Sequence, residues 1–186
     1  MIAGPRRMGV GRQHWPITLL LLMIRPVRIR NMQAYYIAQP ALQFGTLLVE
    51  LLAKDPKPVQ VVIVSAFADR NAAIRLRKPI RSLKDGGARI RIITGIDLQG
   101  TSLEALTEIL SWEVDSHIVR NLLSGHTFHP KIYLLRRRDC ADLIVGSNNL
   151  TGGGLFNNYE AAVRISYEFP DDADAYSEMV KRFEIF

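Results

Sequence analysis

Residues 129–149 read His129-Pro130-Lys131-Ile132-Tyr133-Leu134-Leu135-Arg136-Arg137-Arg138-Asp139-Cys140-Ala141-Asp142-Leu143-Ile144-Val145-Gly146-Ser147-Asn148-Asn149. Two β-rich apolar runs, 131–135 and 141–145, flank a short charged stretch, and polar groups cluster at one end of each run. Working outward, 59–66 is a nearly continuous apolar run of the kind found in strands covered on both faces. Residues 35–38, 88–94 and 116–120 read as further strands. Leu47, Leu48, Leu51 and Leu52 recur at helical spacing, with Asp55-Pro56 as the stop. Residues 71–83 also look helical, but Pro79 removes a hydrogen bond inside the run and predicts a kink or two short helices. Thr101-Ser102-Leu103-Glu104 is a capping-box signature that puts Leu103, Leu106 and Leu110 on one helical face. Residues 171–186 predict a closing helix with Ala175, Met179 and Phe183 four apart. Alternating strands and helices define the expected class as α/β, with a mixed, largely parallel β-sheet flanked by helices on both faces.

The polar ends of the two central runs carry the chemistry. Side chains at i and i+2 of an extended segment share a face, so His129 projects with Lys131 and Ser147 with Asn149. An imidazole, a fixed cation, a hydroxyl and a carboxamide converging on one point suit a phosphodiester. The imidazole attacks phosphorus while the other three hold the oxygens on which negative charge accumulates. Glu160 lies in a further strand-like run, 157–165, where a carboxylate can orient an imidazole N–H. Read singly, each piece has an ordinary explanation: His-x-Lys arises by chance, Gly-Ser-Asn is a turn, and Glu160 is a solvated strand residue. The order and the strand-like flanks give the set its meaning.

That set resembles the phospholipase D superfamily, whose sites carry H-x-K, then G-S-x-N and, in the compact nuclease branch, a glutamate about eleven residues after the asparagine. Asn149 to Glu160 is that interval here, and the resemblance spans roughly residues 59–165. It departs where the family pattern often continues to an aspartate, a position held by Arg136. The resemblance implies a phospholipase D-like catalytic domain over residues 32–186 and a metal-independent phosphodiesterase acting on nucleic acid, with DNA expected first. His129, Lys131 and Glu160 are the expected catalytic residues. Ser147, Asn149 and Lys131 are the expected phosphate-binding residues. It implies no cofactor and no metal. Because only one H-x-K copy is present, it also implies a homodimer joined through the active-site face, with one His129 as nucleophile and its mate as general acid. Two other readings stand beside this one. One is a phospholipase D-type lipid phosphodiesterase. The other is a non-catalytic nucleic-acid-binding module of a defence or repair system, working with a separate recognition or helicase partner.

Charge alone does not decide among them. The chain of 186 residues has a formal net charge of +6, but six of its 24 basic residues and none of its 18 acidic ones lie in residues 1–31. The remainder therefore carries 18 basic against 18 acidic residues and is formally neutral. Local clusters remain, namely Arg75, Arg77, Lys78, Arg81 and Lys84, and the Arg136-Arg137-Arg138 triplet. Either can contact phosphates or form a solvated face. Residues 1–31 read as a basic leader outside the fold, with Met32 as an alternative start. The apolar run 17–24 is too short to span a bilayer and is followed by arginines rather than a cleavage site, so stable membrane insertion and export are not expected. Cys140 is the single cysteine, which excludes an intrachain disulfide and fits a cytoplasmic setting. His117, His126 and His129 do not have the spacing of a zinc site.

Overall fold

The computed structural model describes residues 33–183, so the expectations for the leader and for Met32 lie outside the described residues. The first half of the chain alternates: β1 (Gln33–Gln39), α1 (Phe44–Ala53), β2 (Gln60–Ser65), α2 (Arg70–Asp85), β3 (Arg89–Gly95), α3 (Leu103–Leu110) and β4 (Asp115–Val119). Three strands then follow, β5 (Lys131–Arg136), β6 (Cys140–Gly146) and β7 (Glu160–Glu168), the last two joined by the 147–159 loop, before the closing helix α4 (Ala173–Phe183). The strands form one seven-stranded sheet in the order β1-β7-β6-β5-β2-β3-β4.

The sheet is mixed, but the expectation that it is largely parallel does not hold. Only β2–β3 and β3–β4 pair in parallel, while β1–β7, β7–β6, β6–β5 and β5–β2 are antiparallel. For the β5–β6 pair the physical reason is connection length. A parallel pair needs a crossover of a dozen or more residues, whereas β5 and β6 are joined by Arg137, Arg138 and Asp139 alone.

Helices cover both faces unequally. Val61, Ile63, Ile92, Tyr133, Leu135 and Ile144 pack on one face against Leu48 and Leu52 of α1, Leu76 and Ile80 of α2, and Ile109 of α3. Val62, Val64, Ile93, Leu134, Leu143 and Tyr167 turn to the other face, where α4 brings Ala175. α4 does not reach the end of the sheet where β5 begins. There Ile132, Val145, Val163 and Tyr36 stand in register across four strands, with Val145 44% and Tyr36 73% exposed.

Local departures from the sequence reading have identifiable causes. α2 runs unbroken through Pro79, because Leu76, Ile80 and Leu83 are buried on one stripe and tertiary packing outweighs the missing hydrogen bond. In α3 the cap is Ser102 rather than the Thr101 of the expected capping box: Ser102 Oγ accepts from Ala105 N at 3.1 Å. The Thr101 hydroxyl instead accepts from Ala68 N and donates to Gly95 O, and the leucine face is the outer one. Leu103 and Leu110 are exposed, whereas Ala105, Glu108 and Ile109 face inward. A glutamate fits that inner face because Arg77 forms a two-point ion pair with it and Trp112 Nε1 donates to it at 2.9 Å. The Arg136-Arg137-Arg138 triplet is not a phosphate patch. Arg137 is buried, donating to Leu51 O, Pro56 O and Asp142, and Arg136 stacks over Phe169 and Tyr176. Among the described residues no helix is long and apolar enough to cross a membrane.

Candidate active site

All five expected site residues lie at one end of the sheet, where the parallel strands β2 and β3 finish, antiparallel β5 begins, β6 ends and β7 begins. His129, just before β5, is exposed, while Lys131 is only 6% exposed. Lys131 Nζ lies 2.7 Å from Nδ1 and 3.0 Å from Nε2 of His129 and donates to His129 O at 2.8 Å. The i, i+2 expectation therefore holds: the imidazole and the ammonium meet. Burial pushes the Lys131 amine below its usual range, an effect that the negative charge of Glu160 opposes.

The second pair is less symmetrical. Ser147 Oγ hydrogen-bonds the Glu160 carboxylate, whose other oxygen accepts from Asn158 Nδ2 at 3.2 Å. Asn149 instead turns its carboxamide oxygen to the backbone N–H of Phe67 at 3.3 Å. No hydrogen bond joins Glu160 to His129 among the described residues. His129 thus has a cation beside it, and Glu160 is held by two donors, Ser147 and Asn158. Asn148, between Ser147 and Asn149, is buried and latches the loop through Nδ2 to Gly154 O at 2.9 Å. Gly154 packs on its own chain, since a Cβ there would sit 2.5 Å from Asn149 O.

Sequence reasoning missed the residues that hold this set in place. Phe67, just past β2, packs its ring edge-on against His129 at a centroid separation of 5.6 Å and also donates to Asn149. Gly100 makes room for that ring, since a Cβ there would be 2.1 Å from it. Ser65, opposite Lys131 in register, donates to Phe67 O and accepts from Leu150 N, tying β2 to the segment after Asn149. Asp97 accepts backbone N–H groups of Phe128 at 2.8 Å and Asn121 at 2.9 Å, which fixes the approach to His129. Those two bonds hold its carboxyl below the usual range. The available signal was position: an acid and an aromatic one or two residues past buried strands.

A cleft of about 460 Å³ beside Gln60, Arg89 and Asp115 is at the opposite end of β2 and β3 and contains none of these residues. Its charges are spent on one another, Lys84 with Glu113 and Arg91 with Asp115. Among the described residues no group of three or more His, Cys, Asp or Glu side chains converges to hold a metal ion. His117 pairs with Asp115 and His126 with Ser124 O, so neither joins His129.

The sequence family described as cardiolipin synthase, PLD-like domain, matches residues 32–185. No curated protein matches the chain in sequence. Among solved structures, the chain is similar to the phospholipase D family member Nuc from Salmonella typhimurium at TM-score 0.59 and 18% identity, covering 82% of this chain and 93% of that one. NucT from Helicobacter pylori gives TM-score 0.55 at 15% identity, with 83% and 94% covered. Polyphosphate kinase from Porphyromonas gingivalis gives 0.53 at 13% identity, with 81% of this chain but only 25% of that chain covered. These likenesses are of fold, and the family match spans nearly the whole described chain. With that family match over residues 32–185, the chain belongs to the cardiolipin synthase, PLD-like domain family of the phospholipase D superfamily.

Proposed function

We propose that the chain is a metal-independent phosphodiesterase of nucleic acid, a DNA endonuclease that works through a phosphohistidine in a homodimeric site. One observation carries this reading: an exposed imidazole sits 2.7 Å from a buried ammonium, with Ser147, Asn149 and Glu160 at the same strand ends. His129 of one protomer attacks phosphorus, so an N–P bond forms as the P–O bond to the leaving strand breaks. The partner's His129 protonates the departing oxygen, then removes a proton from water. The water oxygen attacks phosphorus, the N–P bond breaks, and both imidazoles return to their starting states. Lys131, Ser147 and Asn149 hold the non-bridging oxygens, on which charge builds up. Glu160, oriented by Ser147 and Asn158, faces an imidazole across the two-fold axis and raises its basicity.

The exposed residues Val145, Val163 and Tyr36, in register with the partly buried Ile132, support the dimer, because they lie beside the site and offer the same apolar patch to a second copy. The single cysteine favours the cytoplasm as its setting. The test is cleavage of plasmid DNA in EDTA by wild type and His129→Ala. Cleavage that survives the chelator and vanishes in the variant is expected. Loss in EDTA, or activity from a strictly monomeric protein, would refute the mechanism. Faster turnover of a phospholipid would replace DNA by lipid, and DNA binding without cleavage would leave a binding module.

A further inference from the structure

The loop that leaves the site at Asn149 returns to it at Glu160, and its outer wall borders a second, polar cleft. This cleft, about 310 Å³, lies between the loop and the first half of α2 and is lined by Asn71, Arg75, Gly152, Phe156 and Asn157 among others. Gly152 is the third residue after Asn149, a backbone reach of at most about 10 Å. Gly152 N is pinned to Asp69 Oδ2 at 2.7 Å, and the same carboxylate caps α2 through Ala72 N at 2.8 Å. Loop and helix are therefore held in fixed relation next to the phosphate-handling residues.

Arg75 differs from its neighbours on α2. Arg77 is paired with Glu108 and Lys84 with Glu113, but Arg75 has no carboxylate within ion-pair distance among the described residues. Its guanidinium instead sits 4.2 Å from the centre of the Phe156 ring. That ring is wedged against α1, where a Cβ on Gly45 would lie 2.3 Å from it, and Phe156 O accepts from Gln43 Nε2 at 3.3 Å. A guanidinium stacked on a fixed aromatic face keeps its edge N–H groups for two oxygens of an anion such as a phosphodiester, and the carboxamides of Asn71 and Asn157 line the same cleft.

We infer that this cleft is a flanking-phosphate subsite, in which Arg75 with Asn71 and Asn157 grips the backbone of a nucleic-acid strand a few nucleotides from the scissile phosphate. The inference rests on the nucleic-acid reading above and extends it to where the strand runs. Successive phosphates along a strand lie several ångströms apart, so a cleft bordering the loop that leaves Asn149 meets one of the nearest flanking phosphates. A short diester that occupies only the reacting site cannot reach it.

The test uses Arg75→Ala and, on the opposite wall, Asn157→Asp, each also made with His129→Ala so that strands stay intact. Binding of labelled oligothymidylates of about 4 and about 16 nucleotides is followed by fluorescence anisotropy at several salt concentrations. Both variants should weaken binding of the long strand roughly three- to tenfold, and Arg75→Ala should reduce the slope of log affinity against log salt by about 0.7. In the His129-containing protein, the ratio of turnover on the long strand to turnover on bis(4-nitrophenyl) phosphate should fall with Arg75→Ala. Unchanged long-strand affinity and slope in both variants would overturn the subsite, as would a wild type that binds no oligothymidylate. If wild type binds the long strand through Arg75 but turns over neither diester, the subsite stands and the catalytic reading falls.

Discussion

Gly146 separates β6 from β7 at the point where both enter the site, and Gly146→Ala tests how closely fold and chemistry are coupled there. A Cβ at this position would lie 2.4 Å from Ala161 O, 2.5 Å from Ala162 Cβ and 2.6 Å from Ala162 Cα. Comfortable carbon contacts begin near ~3.5 Å, so the two strands must part by about 1 Å. Backbone is what must move, because two of the three atoms belong to the main chain of β7. The bonds at risk are Ser147 N to Ala161 O at 2.9 Å and Ala161 N to Ser147 Oγ at 3.1 Å, which hold Ser147 over Glu160. Overpacking of this kind costs about 1–3 kcal/mol. In a domain of this size that lowers the melting temperature by roughly 3–10 °C. A displacement near 1 Å among reacting groups lowers turnover by about 100-fold. Thermal unfolding by circular dichroism and steady-state turnover of bis(4-nitrophenyl) phosphate measure the two effects. Gly86→Ala is the control, since its nearest atoms are 3.4 Å away and its φ is −79°. Turnover of Gly146→Ala within about twofold of wild type would refute the claim that these strand ends position the site.

Glu108→Leu removes the only hydrogen-bond acceptor of the buried Trp112 indole, so stability should fall by about 1–3 kcal/mol, while Glu108→Gln, which keeps an acceptor, should lose less. The Arg77 guanidinium holds the Glu108 carboxyl down to about 2, and a depressed carboxyl stabilises the fold above its ordinary range and loses that effect as pH falls through its folded value. The gap between wild type and Glu108→Leu in denaturant melts should therefore persist in mild acid and close only toward the lowered value. Closure already near about pH 5 would contradict the depressed carboxyl. Asp97→Asn should lower kcat by roughly 10- to 100-fold with little change in KM, because an amide cannot accept both backbone N–H groups ahead of His129 through an ionised carboxylate. Unchanged kcat would show that the approach to His129 is held by other contacts. Ile63→Ala, in the middle of β2 between β5 and β3 and fully buried, should cost about 2–5 kcal/mol in chemical denaturation without altering the pH profile of activity.

The motif was legible because strand periodicity is two, so His129 with Lys131, and Ser147 with Asn149, could be placed on common faces from spacing alone. Strand direction around the site was also written in the sequence, in the five residues separating the 131–135 and 141–145 runs, too few for a parallel crossover. The βα alternation of the first half suggested a parallel sheet throughout and masked that signal. The α3 face could not be read by hydropathy, because its inward glutamate depends on Arg77, 31 residues away, and on Trp112. Arg136 and Arg137 likewise looked like surface charge until Phe169, Tyr176, Asp142 and the carbonyl of Leu51 were brought to them by folding. Phe67 and Asp97 were invisible as site residues for the same reason: their partners, Asn149, His129 and Phe128, are distant in the chain.

The pairing of one imidazole with its symmetry mate is tested most directly by mixing subunits. Wild-type and His129→Ala chains carrying different tags are co-expressed in equal amounts, and the mixed dimers are isolated and assayed on plasmid DNA. Inactive mixed dimers are expected, so that the unfractionated population retains about one quarter of wild-type activity. Mixed dimers with half of wild-type activity would mean that each protomer completes its own site, contradicting a shared one.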